Sequence, residues 1–339
     1  MNESWRQLLS TTSARWSGDD LLDFSQPGEE LAAAATGACA SPLTDLAVIE
    51  VAGNDAQAFL QNQLTNELRD LADGSSRLAG YCSPKGRMLA LFRVLRSGAA
   101  FQLCLPRELA APISKRLQMY VLRSKVTLRD ISEERLVLGT VGLEPADLGF
   151  AQAAGLAPDQ GAVADDVTII RVRGERPRHL WLSTPEGMRA LLGRFKEYRL
   201  AGPMVWRWQD VRAGLPQVFA TTQEAFVPQM ANLDLIGGVS FTKGCYPGQE
   251  IVARMHYLGN LKRRMYRIAL SGEQVPSPGA ELRGIDGKLA GELVMAAPGP
   301  AGDCEGLAVL QLEMALDTPL QLDGRDVRVE PPPYPLSAQ

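Results

Sequence analysis

The stretch Gly237-Gly238-Val239-Ser240-Phe241-Thr242-Lys243-Gly244-Cys245-Tyr246-Pro247-Gly248-Gln249-Glu250-Ile251-Val252-Ala253-Arg254 is unlike the rest of the 339-residue chain. Its glycines at 237, 238, 244 and 248 permit positive φ and close backbone approach, and Pro247 suits a first helical turn running into Ile251-Val252-Ala253. Cys245 is therefore expected just ahead of a helix. Unpaired N–H groups there, with the Lys243 ammonium two residues away, favour thiolate over thiol and single out Cys245 as the reactive cysteine of the chain. Glu250, in the first turn, suits the same dipole. The competing reading is a cysteine filling a tight turn beside a solvated lysine.

On the C-terminal side, short apolar runs punctuated by Gly and Pro begin at Lys262, and they read as the strands 265–270, 280–283, 288–295, 307–312 and 327–330 of a small β-barrel. Pro331-Pro332-Pro333 closes it. On the N-terminal side, residues 46–51 read as a strand. Asp55 caps a helix that buries Phe59, Leu60 and Leu64, and a meander follows at 78–82, 87–96 and up to 105. Pro106 then opens a helix with Leu109, Ile113, Leu117 and Tyr120 on one face, and the strands 125–128 and 136–141 come next. A Gly/Ala/Pro-rich connection at 149–161 leads to strands at 167–172 and 179–183 and a helix over 185–198. The expected organisation is an arm at 1–44 holding one short helix, an α+β module at 45–145, a second at 146–261 that carries the glycine-rich stretch, and the barrel at 262–335.

Composition narrows the chemistry. Hydrophobic residues are 45% and charged residues 22%, so the chain can bury sizeable cores. The net charge of -4 excludes an overall positive field for nucleic acid or acidic lipid, so any RNA contact must be local. The five cysteines include no CxxC pair, which argues against a disulfide framework and a zinc knuckle and for a reducing, cytoplasmic setting. No apolar run reaches 18 residues, so no membrane span is expected. Only His179 and His256 could serve an imidazole-dependent site, and no resident metal is expected. His256 lies near the motif helix, where it could pass a proton or merely sit at the surface. Neither GxGxxG after a strand nor GxxxxGK[ST] occurs.

The string Lys243-Gly244-Cys245-Tyr246-Pro247-Gly248-Gln249-Glu250 closely resembles the KGCYxGQE signature of the YgfZ family, folate-binding relatives of the glycine-cleavage T-protein. The resemblance spans nearly the whole chain. Its neighbours occur in order: Gly53-Asn54-Asp55-Ala56, Gln61-Asn62-Gln63-Leu64-Thr65, Ser83-Pro84-Lys85-Gly86-Arg87, Ser124-Lys125-Val126, Trp206 ahead of Ala213-Gly214-Leu215-Pro216, and Pro332-Pro333-Tyr334. It implies an α+β fold of two ferredoxin-like modules and a barrel, arranged as a three-domain ring around a central channel. The bound group would be tetrahydrofolate or another reduced folate.

The function implied is that of an accessory protein for iron-sulfur cluster assembly or repair. Its partners would be folate and iron-sulfur clients or assembly proteins, with tRNA modification supported indirectly. Cys245 and Lys243 would carry the chemistry, and Trp206, Tyr246, Gln249, Glu250 and Arg254 would meet the folate. An indole face such as that of Trp206 suits a flat pterin, and Arg254 suits anionic tail carboxylates. One thiolate cannot hold a four-cysteine cluster, so a cluster at Cys245 would be transient or shared. Lys262-Arg263-Arg264 could meet tail carboxylates or tRNA phosphate, but reads better as a solvated strand start. The alternative reading is a tetrahydrofolate-dependent aminomethyltransferase of the T-protein type. Two departures bear on both readings. Leu46 stands where some relatives have a second folate-contacting Trp, and Arg212 stands where many have a glutamate that accepts from the pterin.

Overall fold

The computed structural model describes residues 2–257, 259 and 261–336. The chain forms two compact units, one built from residues 1–57, 70–77 and 93–209 and the other from 58–69, 78–92 and 210–339.

The first unit contains a six-stranded sheet with the strand order Gly161–Ala164, Val167–Arg171, Arg178–Ser183, Leu136–Val141, Cys39–Pro42 and Arg199–Leu200. Its neighbours are antiparallel except Arg199–Leu200, which runs parallel to Cys39–Pro42. Trp181 anchors the core on one face of this sheet. The indole is fully buried, meets Phe150 and Phe195 edge to face at 5.2 and 5.8 Å, and donates its N–H to Thr140 Oγ1 at 2.9 Å. Two expectations fail here. Residues 1–44 are not an arm, because Trp5, Leu9, Leu21 and Phe24 pack into this core and Cys39–Pro42 is an interior strand. Their elements are too short to leave a sustained period in the sequence. Leu136–Val141 also joins this sheet, paired with Arg178–Ser183 and Cys39–Pro42, rather than the module that precedes it in the chain.

A five-stranded sheet has the order Ser76–Cys82, Met88–Ser97, Ala100–Pro106, Leu46–Ala52, Thr127–Asp130, and the chain passes between the units within the first two of these strands. The helix Arg107–Gln118 buries Leu109, Ile113 and Leu117 as its spacing requires. It stops short of Tyr120, which is exposed instead of sharing that face. The helix Ala56–Gln61 likewise ends before Leu64, which is buried as a bridge partner of Tyr81.

In the second unit a closed barrel runs Arg263–Ser271, Asp303–Gln311, Leu289–Pro298, Glu281–Gly284, Leu320–Leu322, Arg325–Glu330 and back to the first strand. Alternate residues face inward, among them Tyr266, Ile268 and Leu270 on one strand and Ala308 and Leu310 on its neighbour. The strand missing from the sequence reading, Leu320–Leu322, has three residues and leaves no readable alternation. After the prolines, the Tyr334 hydroxyl donates to the Gly214 carbonyl at 2.8 Å and accepts from Asn232 Nδ2 at 3.3 Å. Gly214 has φ +65°, and a Cβ there would strike the Tyr334 ring.

His179 is buried in the six-stranded sheet, and desolvation, helped by the Arg171 charge, pushes its pKa down to about 4. Between about pH 6.5 and 4 the unfolded chain binds a proton that the folded one refuses, so stability falls as pH drops through that window. A His179→Gln protein should lack on the order of 3 kcal/mol of this acid sensitivity. Urea unfolding at pH 7 and pH 4.5, compared with wild type, checks it.

Candidate functional site

Residues 61–66 form the rack on which the glycine-rich stretch is mounted. Thr65 pairs with Gly80 of the strand Ser76–Cys82: its N–H donates to the Gly80 carbonyl at 2.9 Å, and its hydroxyl accepts the Gly80 N–H at 2.8 Å. The same hydroxyl donates to the Gly238 carbonyl at 2.7 Å, Asn66 Nδ2 donates to Gly237 O at 2.6 Å, and Ser240 N–H donates to Thr65 O at 2.9 Å. Carbonyls and amides of a segment without regular structure thus find partners.

Lys243 completes the attachment. Its ammonium is buried and donates to the carbonyls of Gln61 and Leu64, each at 2.5 Å, while lying 4.9 Å from the Tyr246 ring centroid. Burial lowers its pKa to about 8. Glu67 and, more weakly, Cys245 act against that shift, and Arg69 acts with it. Charge-assisted hydrogen bonds of this kind are worth about 1.5–3 kcal/mol each. The solvated or thiol-directed lysine of the sequence reading is therefore replaced by a buried one whose hydrogen bonds end on carbonyls.

Beyond Cys245 the chain turns at Pro247-Gly248. Gly248, at φ +79°, lies against the turn Ser83-Pro84-Lys85-Gly86, itself closed by Gly86 N–H to Ser83 O at 2.9 Å with Gly86 at φ +71°. A Cβ on Gly248 would fall 2.5 Å from Ser83 O and 2.6 Å from Gly86 Cα. Arg87 holds the same turn by donating to the carbonyls of Glu224 and Ala225 at 3.0 and 2.6 Å. The helix starts only at Gln249 and runs to Tyr257. Pro247 is consequently outside it and Cys245 is four residues ahead of it, beyond the first-turn N–H groups that were expected to favour the thiolate. Glycine's left-handed turn, not the proline, decides where the helix begins.

The geometry brings Lys243, Cys245, Tyr246 and Gln249 together: Gln249 N–H donates to Tyr246 O at 3.2 Å and its side-chain amide to Lys243 O at 3.4 Å. Tyr246 is buried, and desolvation raises its phenol pKa. Cys245 is exposed. The other four cysteines are buried, which pushes Cys39, Cys82 and Cys104 up to about 12 and Cys304 to about 11. Glu250 and Arg254 lie exposed, one turn apart on the helix. His256 stacks on Phe241 at 3.6 Å with the rings 10° apart.

Trp206 belongs to the first unit, on the helix Pro203–Arg212. Only 7% of it is exposed: Gly139 lies so close that a Cβ there would be 2.4 Å from the indole, and the Arg178 guanidinium sits 4.0 Å from the ring centroid. The open face expected for a pterin is thus occupied by a flat cation and a strand backbone. Arg264 is not solvated either. It makes a two-pronged pair with Asp234 at 2.7 and 2.9 Å. Arg212 Nη1 lies 3.6 Å from Glu305 of the barrel strand Asp303–Gln311. Sequence reasoning missed the carbonyls of Gln61 and Leu64 as partners of Lys243, although it had marked residues 61–65. Among the described residues, no group of three or more His, Cys, Asp and Glu is placed to hold a metal, and no helix is long and apolar enough to cross a membrane.

The fold is that of the glycine-cleavage aminomethyltransferases. It is similar to the crystal structure of glycine cleavage system aminomethyltransferase T from Bartonella henselae, with a TM-score of 0.79 over 96% of each chain at 17% identity. Residues 262–335 match the CAF17 C-terminal beta-barrel domain. The chain belongs to the YgfZ family: it is 30% identical to the tRNA-modifying protein YgfZ of Klebsiella pneumoniae (strain 342), over 87% of this chain and 92% of that one. Its identity to the protein of the same name from Escherichia coli (strain K12) is 28%, with the same coverage.

Gly248→Ala tests the mounting. It forces a Cβ into the Ser83–Gly86 turn at a positive φ, so it should destabilise the protein by about 1–3 kcal/mol. Denaturant unfolding measures this, and a surface control, Gly98→Ala, which has open space at its Cβ, should cost less.

Proposed function

We propose that this chain is a folate-binding accessory protein of iron-sulfur cluster assembly or repair that supports tRNA modification indirectly, with Cys245 as its working thiol. The observation that carries the thiol half is the division of the cysteines: four are buried with raised pKa values, and the fifth is exposed on a segment fixed by Lys243, Gly248 and the Gln61–Thr65 rack. Family membership supports the biological half, since the relatives bear the name tRNA-modifying protein. A cluster served by Cys245 takes its remaining ligands from the client, because one thiolate supplies one of the four that a conventional cluster needs. Folate is the ligand on this reading, with Arg254 available to tail carboxylates. Trp206 is the ring that this reading assigns to the pterin.

In a strain lacking the gene, wild-type protein should restore the activity of iron-sulfur enzymes that thiolate tRNA, and Cys245→Ala should not. Full restoration by the variant would remove the thiol from the mechanism. Calorimetry with tetrahydrofolate should give binding that Trp206→Ala weakens by roughly 3- to 10-fold, the scale of one aromatic contact. Absence of heat with every reduced folate tried would end the folate half of the reading.

A further inference from the structure

We infer that Lys243 is a positioning residue for Cys245: its ammonium pins the segment that presents the sulfur to the end of the helix Ala56–Gln61, and it does not act as the electrostatic partner of the thiolate. The inference rests on the preceding reading only in taking Cys245 as the working group.

Lys243 is buried and donates to two main-chain oxygens, those of Gln61 and Leu64, each at 2.5 Å. Gln61 is the last residue of its helix, where carbonyls lack intrahelical partners and a cation is favoured. The Tyr246 ring lies 4.9 Å from the same nitrogen, so the residue after the cysteine is also held by it. The Gln249 side chain closes the arrangement by donating to the Lys243 carbonyl at 3.4 Å. Cys245 therefore projects from a loop gripped on both sides, at Lys243 and at Tyr246. The charged groups acting on the ammonium are Glu67, Arg69 and Cys245, and the cysteine is the weakest of the three. A thiolate partner would instead spend its hydrogen bonds on the sulfur, whereas both of these end on carbonyls.

The cysteine distribution makes a clean experiment possible, because alkylation by iodoacetamide between pH 6 and 10 reads Cys245 while the four buried thiols stay protonated. Two quantities are measured on full-length wild type and Lys243→Met: the pH midpoint of alkylation, and amide hydrogen exchange of residues 240–246. Positioning predicts exchange accelerated ~10-fold or more in the variant, with a midpoint within ~0.3 pH unit of wild type. A midpoint raised by ~1 unit or more with exchange unchanged would make Lys243 the thiolate's partner, and no change in either would leave it without a role. Both results overturn the inference. If Lys243→Met does not fold, Lys243→Arg decides: its bulkier fork should loosen the segment at an unchanged midpoint, whereas a partner role predicts wild-type values for both. Neither readout uses folate or a client enzyme, so failure of the functional proposal would leave this result standing, and the reverse.

Discussion

A buried ammonium shared between two carbonyl oxygens joins parts of the chain about 180 residues apart, and the local structure around Cys245 follows from that contact. An unmatched charge at this depth would be prohibitive, so the carbonyls of Gln61 and Leu64 must be free to receive it. They are free because the helix ends at Gln61. Residues 213–248 hold no regular element beyond one short 3-10 turn at Ala220–Thr222, so their main-chain groups depend on side chains for partners. Thr65, Asn66, Arg87 and Arg264 fill that role through bonds to the segment's carbonyls, while its Gln229 and Asn232 donate outward to the carbonyls of Val252 and Met265. This explains why so many polar residues are buried in a unit whose barrel core is aliphatic.

What could be read from the amino acids depended on the length and sidedness of each element. The barrel was legible, since its longer strands alternate inward and outward residues and its limits at 262 and 335 coincide with the matched barrel domain. The N-terminal 44 residues were not, because helices of six and ten residues and strands of three or four spread their apolar anchors too irregularly to form a period. The helix Pro203–Arg212 also escaped notice. Val205, Trp206, Trp208 and Val211 are all buried and spread round most of it, which leaves only a narrow polar strip at Arg207 and Asp210. Strand 136–141 was recognisable as a strand, yet nothing local says which sheet a β-branched run will join.

The site was legible in its residue types and illegible in its directions. The spacing of Lys243 and Cys245 suggests a charge beside a sulfur, but the side chain leaves the motif altogether and ends on the carbonyls of a helix end. Trp206 invites a stacking ligand by its chemistry, while Arg178 already fills that position from a strand of the same sheet as Gly139. Long-range partners of this sort leave no mark in the local pattern. Glycine was the better guide: Gly248 and Gly86, marked as motif positions far apart in the chain, prove to be the two surfaces of one backbone contact.

The likeness to the aminomethyltransferase covers 96% of both chains at 17% identity, so the architecture tolerates nearly complete replacement of its side chains. A fold that permits this places few demands on chemistry, and activity must be argued from what is mounted on it. Here the mounted part is short: a thiol, the lysine behind it and two glycines that let one turn rest on another. Arg212 carries the same logic. Arg212, which stands where many relatives have a glutamate, lies 3.6 Å from Glu305 of a barrel strand, which gives it a bonding role inside its own unit. Arg212 and Trp206 are thus each engaged by a neighbour of their own, Glu305 and Arg178, whereas Cys245 is held on its segment in the open.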